Sequence, residues 1–253
     1  PDVLDRMGNK SQARKTMMEA GVPVVPGTKE PVHHPDEALA LAREIGWPIM
    51  IKASSGGGGK GMRVSYDERD FSEQFSIAQR ESVGAFGDNT MYLERCVLNP
   101  RHVEVQIIAD TYGTVVALGE RDCSVQRNHQ KMIEESPSPV LTERVRDEML
   151  EAAVRAAQAV GYTSAGTIEF LLDDQLNYYF MEMNTRIQVE HPVTEMVTGT
   201  DLVEEMIRVA AGDPLTFTQD DITYRGHAIE CRVNAEQPER GFLPSPGTIS
   251  QMH

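Results

Sequence analysis

The spacing of apolar residues along the chain predicts several amphipathic helices. The clearest covers residues 142–160, where Thr142 can cap the first turn and Gly161 can end the helix. Its apolar face consists of Val145, Met149, Ala152, Ala153, Ala156 and Val160. Further helices are predicted at residues 9–20, 36–45, 70–80 and 202–211. A helix with one apolar face has to bury it, so a packed core is expected.

Short apolar or alternating segments between these helices predict strands. They lie at residues 48–52, 63–66, 90–94, 102–108, 115–118, 167–172, 178–184 and 226–233. The polar turn at residues 173–177 joins two of these strands into a predicted hairpin. Residues 22–27 are expected to be extended. Residues 120–131 are too polar for a core, so a loop is expected there.

Length and composition restrict the classes of protein to which the chain can belong. A chain of 253 residues with 40% hydrophobic residues corresponds to roughly one or two globular domains. No apolar run approaches the ~20 residues that span a bilayer, and a net charge of −15 opposes binding to nucleic acid. The chain starts at Pro1 without a recognisable targeting peptide, which indicates a fragment of a longer protein. Cys96, Cys123 and Cys231 form no C-x-x-C pair, so idle thiols in a reducing cytosol are expected.

A cluster of glycines lies at residues 54–62, directly after a predicted strand, and contains a G-x-G-x-x-G motif. That motif opens a helix in dinucleotide-binding folds, whereas residues 62–66 have strand character. The P-loop pattern fails as well, because Met62 stands where lysine is required. A glycine-rich loop between strands can instead close its backbone N–H groups over phosphates, with Lys52 and Lys60 nearby. The alternative is a flexible surface turn.

Two glutamates lie on the two strands of the predicted hairpin. Strand periodicity puts Glu182 and Asn184 on one face, and Glu169 lies on the neighbouring strand. Carboxylate and amide oxygens without His or Cys suit Mg²⁺ or Mn²⁺ held partly by substrate phosphates. A solvated sheet face is the alternative. Each glutamate stands among aromatic and aliphatic residues, where a charge needs a partner, and this favours the metal.

The segment that follows combines a cation with a possible base. If residues 186–190 are extended, Arg186, Gln188 and Glu190 lie on one side. Such a pair can bind a small oxyanion through the guanidinium and remove a proton from it. A surface ion pair of little energetic value is the alternative.

Taken together, these segments resemble biotin carboxylase, a member of the ATP-grasp family, over essentially the whole chain. The resemblance is carried by residues 7–10 (MGNK), 51–63 (IKASSGGGGKGMR), 99–104 (NPRHVE), 120–131 (ERDCSVQRNHQK), 182–192 (EMNTRIQVEHP) and 230–236 (ECRVNAE). It implies an α+β ATP-grasp fold in which two α+β subdomains grip ATP. The implied domains are an ATP-grasp domain over residues 1–218, with a lid at about 24–96, and the start of a C-terminal domain over residues 219–253.

The resemblance also implies roles for individual residues. Lys10 and Lys52 would contact the ATP phosphates beneath a mobile lid that contains Gly57, Gly58 and Gly59. The remaining nucleotide site would comprise Glu94, Arg95, Cys96, Val97, His102, Gln126 and His129, together with the glutamates at the metal. The metal ligands would be Glu169, Glu182 and Asn184. Bicarbonate and biotin would be bound and turned over by Lys131, Arg186, Gln188, Val189, Glu190 and Arg232.

The implied reaction has two halves. Glu190 would deprotonate bicarbonate for attack on the γ-phosphate of ATP, with Mg²⁺ bound, and the resulting carboxyphosphate would release CO₂ and phosphate. The phosphate would deprotonate biotin, whose enolate Arg232 would hold while CO₂ adds. The implied partners are a biotin carboxyl carrier protein and a carboxyltransferase subunit, in the cytoplasm, with a homodimer for the full subunit. We expect the 253 residues alone to be weakly active.

Two other functions are compatible with parts of this pattern. A carboxyphosphate-forming lobe of a carbamoyl-phosphate synthetase shares the fold and the first step but uses ammonia as the acceptor. A non-catalytic ATP-binding module would require neither Glu190 nor Arg186 nor Lys131. The carboxyl acceptor of the parent enzyme, such as acetyl-CoA, propionyl-CoA or pyruvate, would be chosen by a separate transferase domain.

Overall fold

The computed structural model of the protein describes residues 2–8, 10–53, 61–128, 130–249 and 251, with backbone only at residues 2, 5, 6, 10 and 11. Its helices are α1 (Asp2–Gly8), α2 (Lys10–Glu19), α3 (Pro35–Ile45), α4 (Glu68–Phe86), α5 (Glu143–Val160), α6 (His191–Thr198) and α7 (Leu202–Ala211). Its longer strands are β1 (Ile49–Ala53), β2 (Met62–Ser65), β3 (Met91–Arg95), β4 (Arg101–Ala109), β5 (Val115–Arg127), β6 (Gln130–Ser136), β7 (Ser164–Leu172), β8 (Tyr178–Asn184) and β9 (Ala228–Cys231). The strands β10 (Glu236–Gln237) and β11 (Leu243–Pro244) form a short ribbon. No described helix is long and apolar enough to cross a membrane.

A small antiparallel sheet forms the first unit, with strand order β2-β1-β3. Alternate residues of β1 are buried, and α3 and α4 cover that face. Phe71 and Phe75 of α4 fill its core, and Trp47 packs edge-on against Phe71 with ring centroids 5.5 Å apart. The glycine-rich segment thus connects two antiparallel strands, which confirms that no helix begins at Met62.

A six-stranded antiparallel sheet forms the larger unit, in the order β8-β7-β4-β5-β6-β9. On one face, β4 contributes Val103, Val105 and Ile107 to a core shared with α2 and α5. On the other face, Ile108 packs with α7, while Glu104 and Gln106 lie in a polar interior. Strand alternation therefore gives this sheet one apolar face and one face that is polar where the site lies.

The ends of the longest helix agree with the sequence pattern. The Thr142 hydroxyl accepts a hydrogen bond from the backbone N–H of Val145, and Gly161 adopts the left-handed conformation that ends the helix. The whole predicted apolar face is buried. The hairpin is also confirmed as β7 and β8. Met181 is an additional residue in β8, because Glu169 pairs with Glu182 whereas the next residue of β7 pairs with Phe180.

Some predictions were wrong. Residues 120–131 do not form a loop: β5 runs to Arg127 and β6 begins at Gln130. The polar residues of β5 are buried there because each has an ion-pair partner: Glu120 pairs with Arg146, Arg121 with Glu104, and Asp122 with Arg101. Helix α4 extends past the predicted end to Phe86, and α1 and α6 were not predicted.

Shortly after the predicted domain boundary at residue 219, the chain adds one more strand to the six-stranded sheet. Strand β9 pairs with β6 as the sixth strand, with Glu134 opposite Glu230. The preceding segment is anchored by Tyr224, whose ring occupies the space above Gly119 that a Cβ atom would fill. The division into residues 1–218 and 219–253 stays a prediction.

Candidate functional site

A cavity of about 770 Å³ opens on the polar face of the six-stranded sheet. It is bordered by β4 to β8, by the turn that leads into α6, and by residues just after β9. The predicted site residues that line it are His102, Gln126, Lys131, Glu169, Glu182, Asn184, Arg186, Gln188, Val189, Glu190 and Arg232. The structure thus brings the predicted metal and bicarbonate residues to one place.

Lys131 occupies the centre of an ion cluster at the base of the cavity. Its ammonium donates to Glu104, to Glu169 at 2.9 Å and to Glu190 at 2.6 Å. Burial acts to lower the pKa of Lys131, but the charges of Glu104 and Glu169 outweigh it and raise the pKa above the ordinary value. Lys131 is therefore a permanent cation among three carboxylates.

Arg121 lies beneath this cluster and is completely buried. Its Nε donates to Glu104 at 2.6 Å, and one terminal nitrogen donates to Gln188 at 3.3 Å. Further acceptors are Gln106, Thr167 and Thr194. Because Glu104 also accepts from Lys131, the guanidinium supports two residues predicted for bicarbonate, Lys131 indirectly and Gln188 directly.

Glu169 is held as a carboxylate. Burial opposes its ionisation, but the close contact with the His102 ring and the charge of Lys131 lower the pKa of Glu169 to about 2. The His102 Nε2 atom lies 3.0 Å from it, and Asn184 donates to it at 2.8 Å. Glu182 stands opposite Glu169 in the hairpin and lines the same cavity.

This donor set fits a hard divalent cation. Glu169, Glu182 and Asn184 offer oxygens only, which is the chemistry that Mg²⁺ and Mn²⁺ prefer. A different trio, His102, Glu104 and Glu169, has its ligand atoms within 4.8 Å of one another. Arg121 pairs with Glu104 and Lys131 pairs with Glu169, so two cations balance the two carboxylates of that trio without a metal.

Glu190 is buried between two cations. Its oxygens accept from Lys131 at 2.6 Å and from Arg232 at 2.7 Å. Burial favours the neutral acid, but the hydrogen bond and charge of Lys131 outweigh it, so the pKa of Glu190 lies below its ordinary value. The carboxylate is ionised at neutral pH and able to accept a proton.

The segment at residues 186–190 was expected to be extended, but it is not. It contains a bend at Arg186 and a turn at Val189 and Glu190, and Glu190 precedes α6 as its N-cap residue. Gln188 and Glu190 are buried whereas Arg186 and Val189 are exposed, yet all four line the cavity. The turn, rather than strand alternation, brings Arg186, Gln188 and Glu190 to the same cavity. It also brings Val189 there, which strand alternation would have placed on the opposite side.

Among the described residues predicted for the phosphates and the adenine, Lys52 and Glu94–Val97 lie on or directly after strands of the small sheet and do not line this cavity. Lys52 of β1 and Glu94 of β3 form an ion pair, and Arg14 Nε approaches Glu94 at 3.9 Å. Arg95, Cys96 and Val97 follow, with the Cys96 N–H donating to Pro48 O at 2.7 Å. The predicted residues Gly57, Gly58, Gly59 and His129 and the side chain of Lys10 lie outside the described residues.

Two of the three thiols, Cys96 and Cys123, agree with the expectation of idle cysteines. Burial raises the pKa of the Cys96 and Cys123 thiols above the ordinary value. Cys231 is exposed at the end of β9, and all three cysteines are free.

Sequence reasoning assigned no role to Arg121 or Glu134, which the structure places against the cavity residues. Both are completely buried charges on β5 and β6. A signal did exist: the charged run at residues 120–122 lies opposite the apolar-alternating strand β4. An alternating strand with glutamate and glutamine at its polar positions, Glu104 and Gln106, predicts a cation across the sheet.

Comparison with known proteins agrees with this geometry. A family model described as the carbamoyl-phosphate synthase L chain, ATP binding domain, matches residues 9–218. The chain is 55% identical over 249 residues to biotin carboxylase 1 of Bacillus subtilis, covering 98% of this chain and 55% of that protein. A biotin carboxylase–β,γ-ATP complex from Campylobacter jejuni superimposes with a TM-score of 0.82 at 51% identity, covering 98% and 55% of the two chains. The biotin carboxylase domain dimer of Hydrogenobacter thermophilus 2-oxoglutarate carboxylase, solved with MgADP, ADP and bicarbonate, gives 0.81 at 47%, covering 98% and 57%.

The fold and the cavity together define an ATP-binding domain of the ATP-grasp class. The chain belongs to the family of the carbamoyl-phosphate synthase L chain ATP-binding domain. Within it, the chain is similar over nearly its whole length to biotin carboxylases. It spans about half the length of the curated relatives that it matches, 55% in the case of the Bacillus subtilis protein.

Proposed function

We propose that this chain provides the ATP-binding part of an enzyme that uses ATP and bicarbonate to carboxylate biotin on a carrier protein, through carboxyphosphate. The observation that carries the proposal is Glu190, an ionised carboxylate held between Lys131 and Arg232 in the cavity that also contains Glu169 and Glu182. An ATP-binding module alone requires no base beside two cations. The names of the relatives support biotin as the acceptor.

In the first step Glu190 would take the proton of bicarbonate. Glu190 is a weak base, because Lys131 lowers its pKa. Lys131 also acts on the substrate: together with Arg186 it would favour the doubly charged anion, carbonate, and so make the proton of bicarbonate easier to remove. Gln188 would orient the anion. The doubly charged anion would then attack the γ-phosphate, and the proton would remain on Glu190.

Glu169, Glu182 and Asn184 would hold Mg²⁺ or Mn²⁺. When bound, the metal supplies positive charge to the phosphates of ATP. The nucleotide would be contacted from both sheets: by Lys52 and Glu94–Val97 on the small sheet and by His102 and Gln126 on the large one. The side-chain amide of Gln126 is held in place because it donates to Cys123 O at 2.8 Å. The roles of Lys10, Gly57, Gly58, Gly59 and His129 rest on the resemblance to biotin carboxylase.

The second step requires a site for biotin beside the first. Arg232 reaches the cavity from the end of β9 and would hold the biotin enolate while CO₂ adds. The proposal includes a biotin carboxyl carrier protein and a carboxyltransferase as partners, a homodimer for the complete subunit, and a cytoplasmic location. The dimer named for the Hydrogenobacter thermophilus domain is consistent with that assembly.

A substitution at Glu190 tests the first step in the complete protein that contains this chain. Glu190→Gln keeps the size of the side chain and removes the base. We expect ATP binding to persist while bicarbonate-dependent ATP cleavage falls by at least about 100-fold, the usual contribution of a general base. Glu148→Gln, an exposed carboxylate on α5, is the matched control and should leave the rate unchanged. If Glu190→Gln cleaves ATP at the wild-type rate, Glu190 is not the base.

The description of the family model supports one rival reaction, carboxyphosphate formation in a carbamoyl-phosphate synthetase. The two reactions differ in the acceptor. Free biotin should stimulate bicarbonate-dependent ATP cleavage by the complete protein, and ammonia should not. Stimulation by ammonia alone would favour the synthetase.

A further inference from the structure

Arg232 stands between two carboxylates. Its backbone N–H donates to Met132 O at 3.0 Å, which fixes the residue beside β6. One terminal nitrogen donates to Glu190 at 2.7 Å, while its Nε lies 2.8 Å from Glu134. About a quarter of the Arg232 side chain is exposed, so the guanidinium has room to turn.

Glu134 is the unusual partner of this pair. It lies in the middle of β6 with 0% of its surface exposed. Neither carboxylate oxygen has a hydrogen-bond donor among the residues that the structure describes, and the nearby Arg232 Nε is not aligned to donate and is itself unpaired. Buried carboxylates without a hydrogen-bonded partner are costly, so this arrangement needs an explanation.

The charges around Glu134 point in the same direction. Burial raises the pKa of Glu134, the like charges of Glu190 and Glu230 raise it further, and only Arg232 opposes them. The contact with Arg232 is therefore what favours the ionised form of Glu134. A modest rotation of the guanidinium would align Nε with the nearer oxygen of Glu134 and pair these two atoms.

We propose that Glu134 is a positioning residue that gives Arg232 a second carboxylate partner, to which the guanidinium turns when Glu190 becomes neutral. The inference rests on the proposed function, in which Glu190 takes the proton of bicarbonate. That proton cancels the charge of Glu190 and weakens its attraction for Arg232, while Glu134 keeps its charge. Arg232 then changes partner between the phosphorylation of bicarbonate and the carboxylation of biotin.

The change of partner links the two half-reactions. While Glu190 is ionised, Arg232 is engaged with it and is not free for another anion. After Glu190 is protonated, Arg232 is anchored through Nε on Glu134, and its terminal nitrogens become available in the cavity for the biotin enolate. Glu134 thus acts on biotin only through Arg232.

The test compares ATP cleavage by the complete protein with and without free biotin, at saturating bicarbonate. Glu134→Gln should lower the biotin-dependent rate by about tenfold or more, and more than it lowers the rate without biotin. Glu134→Asp keeps the charge and should recover part of the loss. The matched control is Glu135→Gln, the next residue on β6, whose carboxylate lies 3.0 Å from His227 and away from Arg232; it should behave as wild type.

Three results would overturn the inference. A Glu134→Gln protein that matches Glu135→Gln has no positioning role, and one that loses both rates by the same factor has only a structural role. A wild-type protein that biotin does not stimulate contradicts the proposed function itself, and the inference falls with it. If Glu134→Gln does not fold, a crystal structure of Glu190→Gln decides: Arg232 should donate to Glu134, and retention of its contact with position 190 would contradict the change of partner.

Discussion

Replacing Arg121 by methionine tests whether the buried ion cluster holds the site together. Methionine is similar in length to arginine but uncharged, so the main change is the loss of the positive charge and of its hydrogen-bond donors. Glu104 keeps Lys131 as a partner but loses its hydrogen bond from Nε, and Gln188 loses a donor beside the cavity. Gln106, Thr167 and Thr194 lose donors as well.

The size of the effect follows from the burial of these groups. Removing one partner of a buried ion pair costs about 3–5 kcal/mol, because the other charge is left poorly paired. One kcal/mol changes the melting temperature of a domain of this size by about 2–4 °C, so a fall on the order of 10 °C is expected. The control is Arg144→Met, whose side chain is 76% exposed and pairs with Glu148 one turn away. Such a pair is worth about 0.5 kcal/mol at most, which corresponds to about 1–2 °C.

Calorimetry of the complete protein measures both variants. The transition that contains this domain should move to lower temperature in Arg121→Met and hardly move in Arg144→Met. A melting temperature for Arg121→Met within about 2 °C of wild type would refute the reasoning. It would mean that the cluster stabilises the domain no more than surrounding apolar packing would.

Three further predictions concern single features of the fold and the site. Glu169 has a pKa of about 2, against 4.5 ordinarily, so its ionised form adds stability that is present above pH 4.5 and is lost as the pH falls through 2. Lys131→Met should raise the pKa of Glu169, and the loss of unfolding free energy measured in urea should therefore be larger at pH 7.5 than at pH 4.5. An equal loss at the two pH values would contradict this prediction. Thr142→Ala should reduce the free energy of unfolding by about 1 kcal/mol through loss of the α5 cap, whereas Thr111→Ala, at an exposed threonine in the turn after β4, should leave it unchanged; equal stability of the two variants in urea would contradict the cap. Glu182→Gln should raise the Mg²⁺ concentration needed for half-maximal ATP cleavage by about tenfold, and an unchanged Mg²⁺ dependence would remove Glu182 from the metal site.

Much of the fold could be predicted because its signals are local. Thr142 and Gly161 bound a periodic apolar face, and the polar turn at residues 173–177 separates two alternating segments. Each signal lies within about 20 residues and reflects the backbone geometry of one element. Two of the three proposed metal ligands could be placed on one face for the same reason, since Glu182 and Asn184 lie on a single strand.

The rest could not be predicted because it depends on contacts between distant residues. Arg121 looks like a surface residue until β4 brings Glu104 and Gln106 against it. The polarity that indicated a loop at residues 120–131 is instead the inner lining of a charged site. The turn at Val189 could not be predicted from the local sequence either. Gln188 and Glu190 are held in their buried positions by Arg121 and Lys131, which are distant in the chain.

Transfer of labelled carbon from bicarbonate to free biotin tests the central claim most directly. The complete protein, supplied with ATP, Mg²⁺ and ¹⁴C-bicarbonate, should form labelled carboxybiotin only when ATP is present. Glu190→Gln should lower that transfer by at least about 100-fold. Label on biotin without ATP, or equal transfer by Glu190→Gln, would contradict the account.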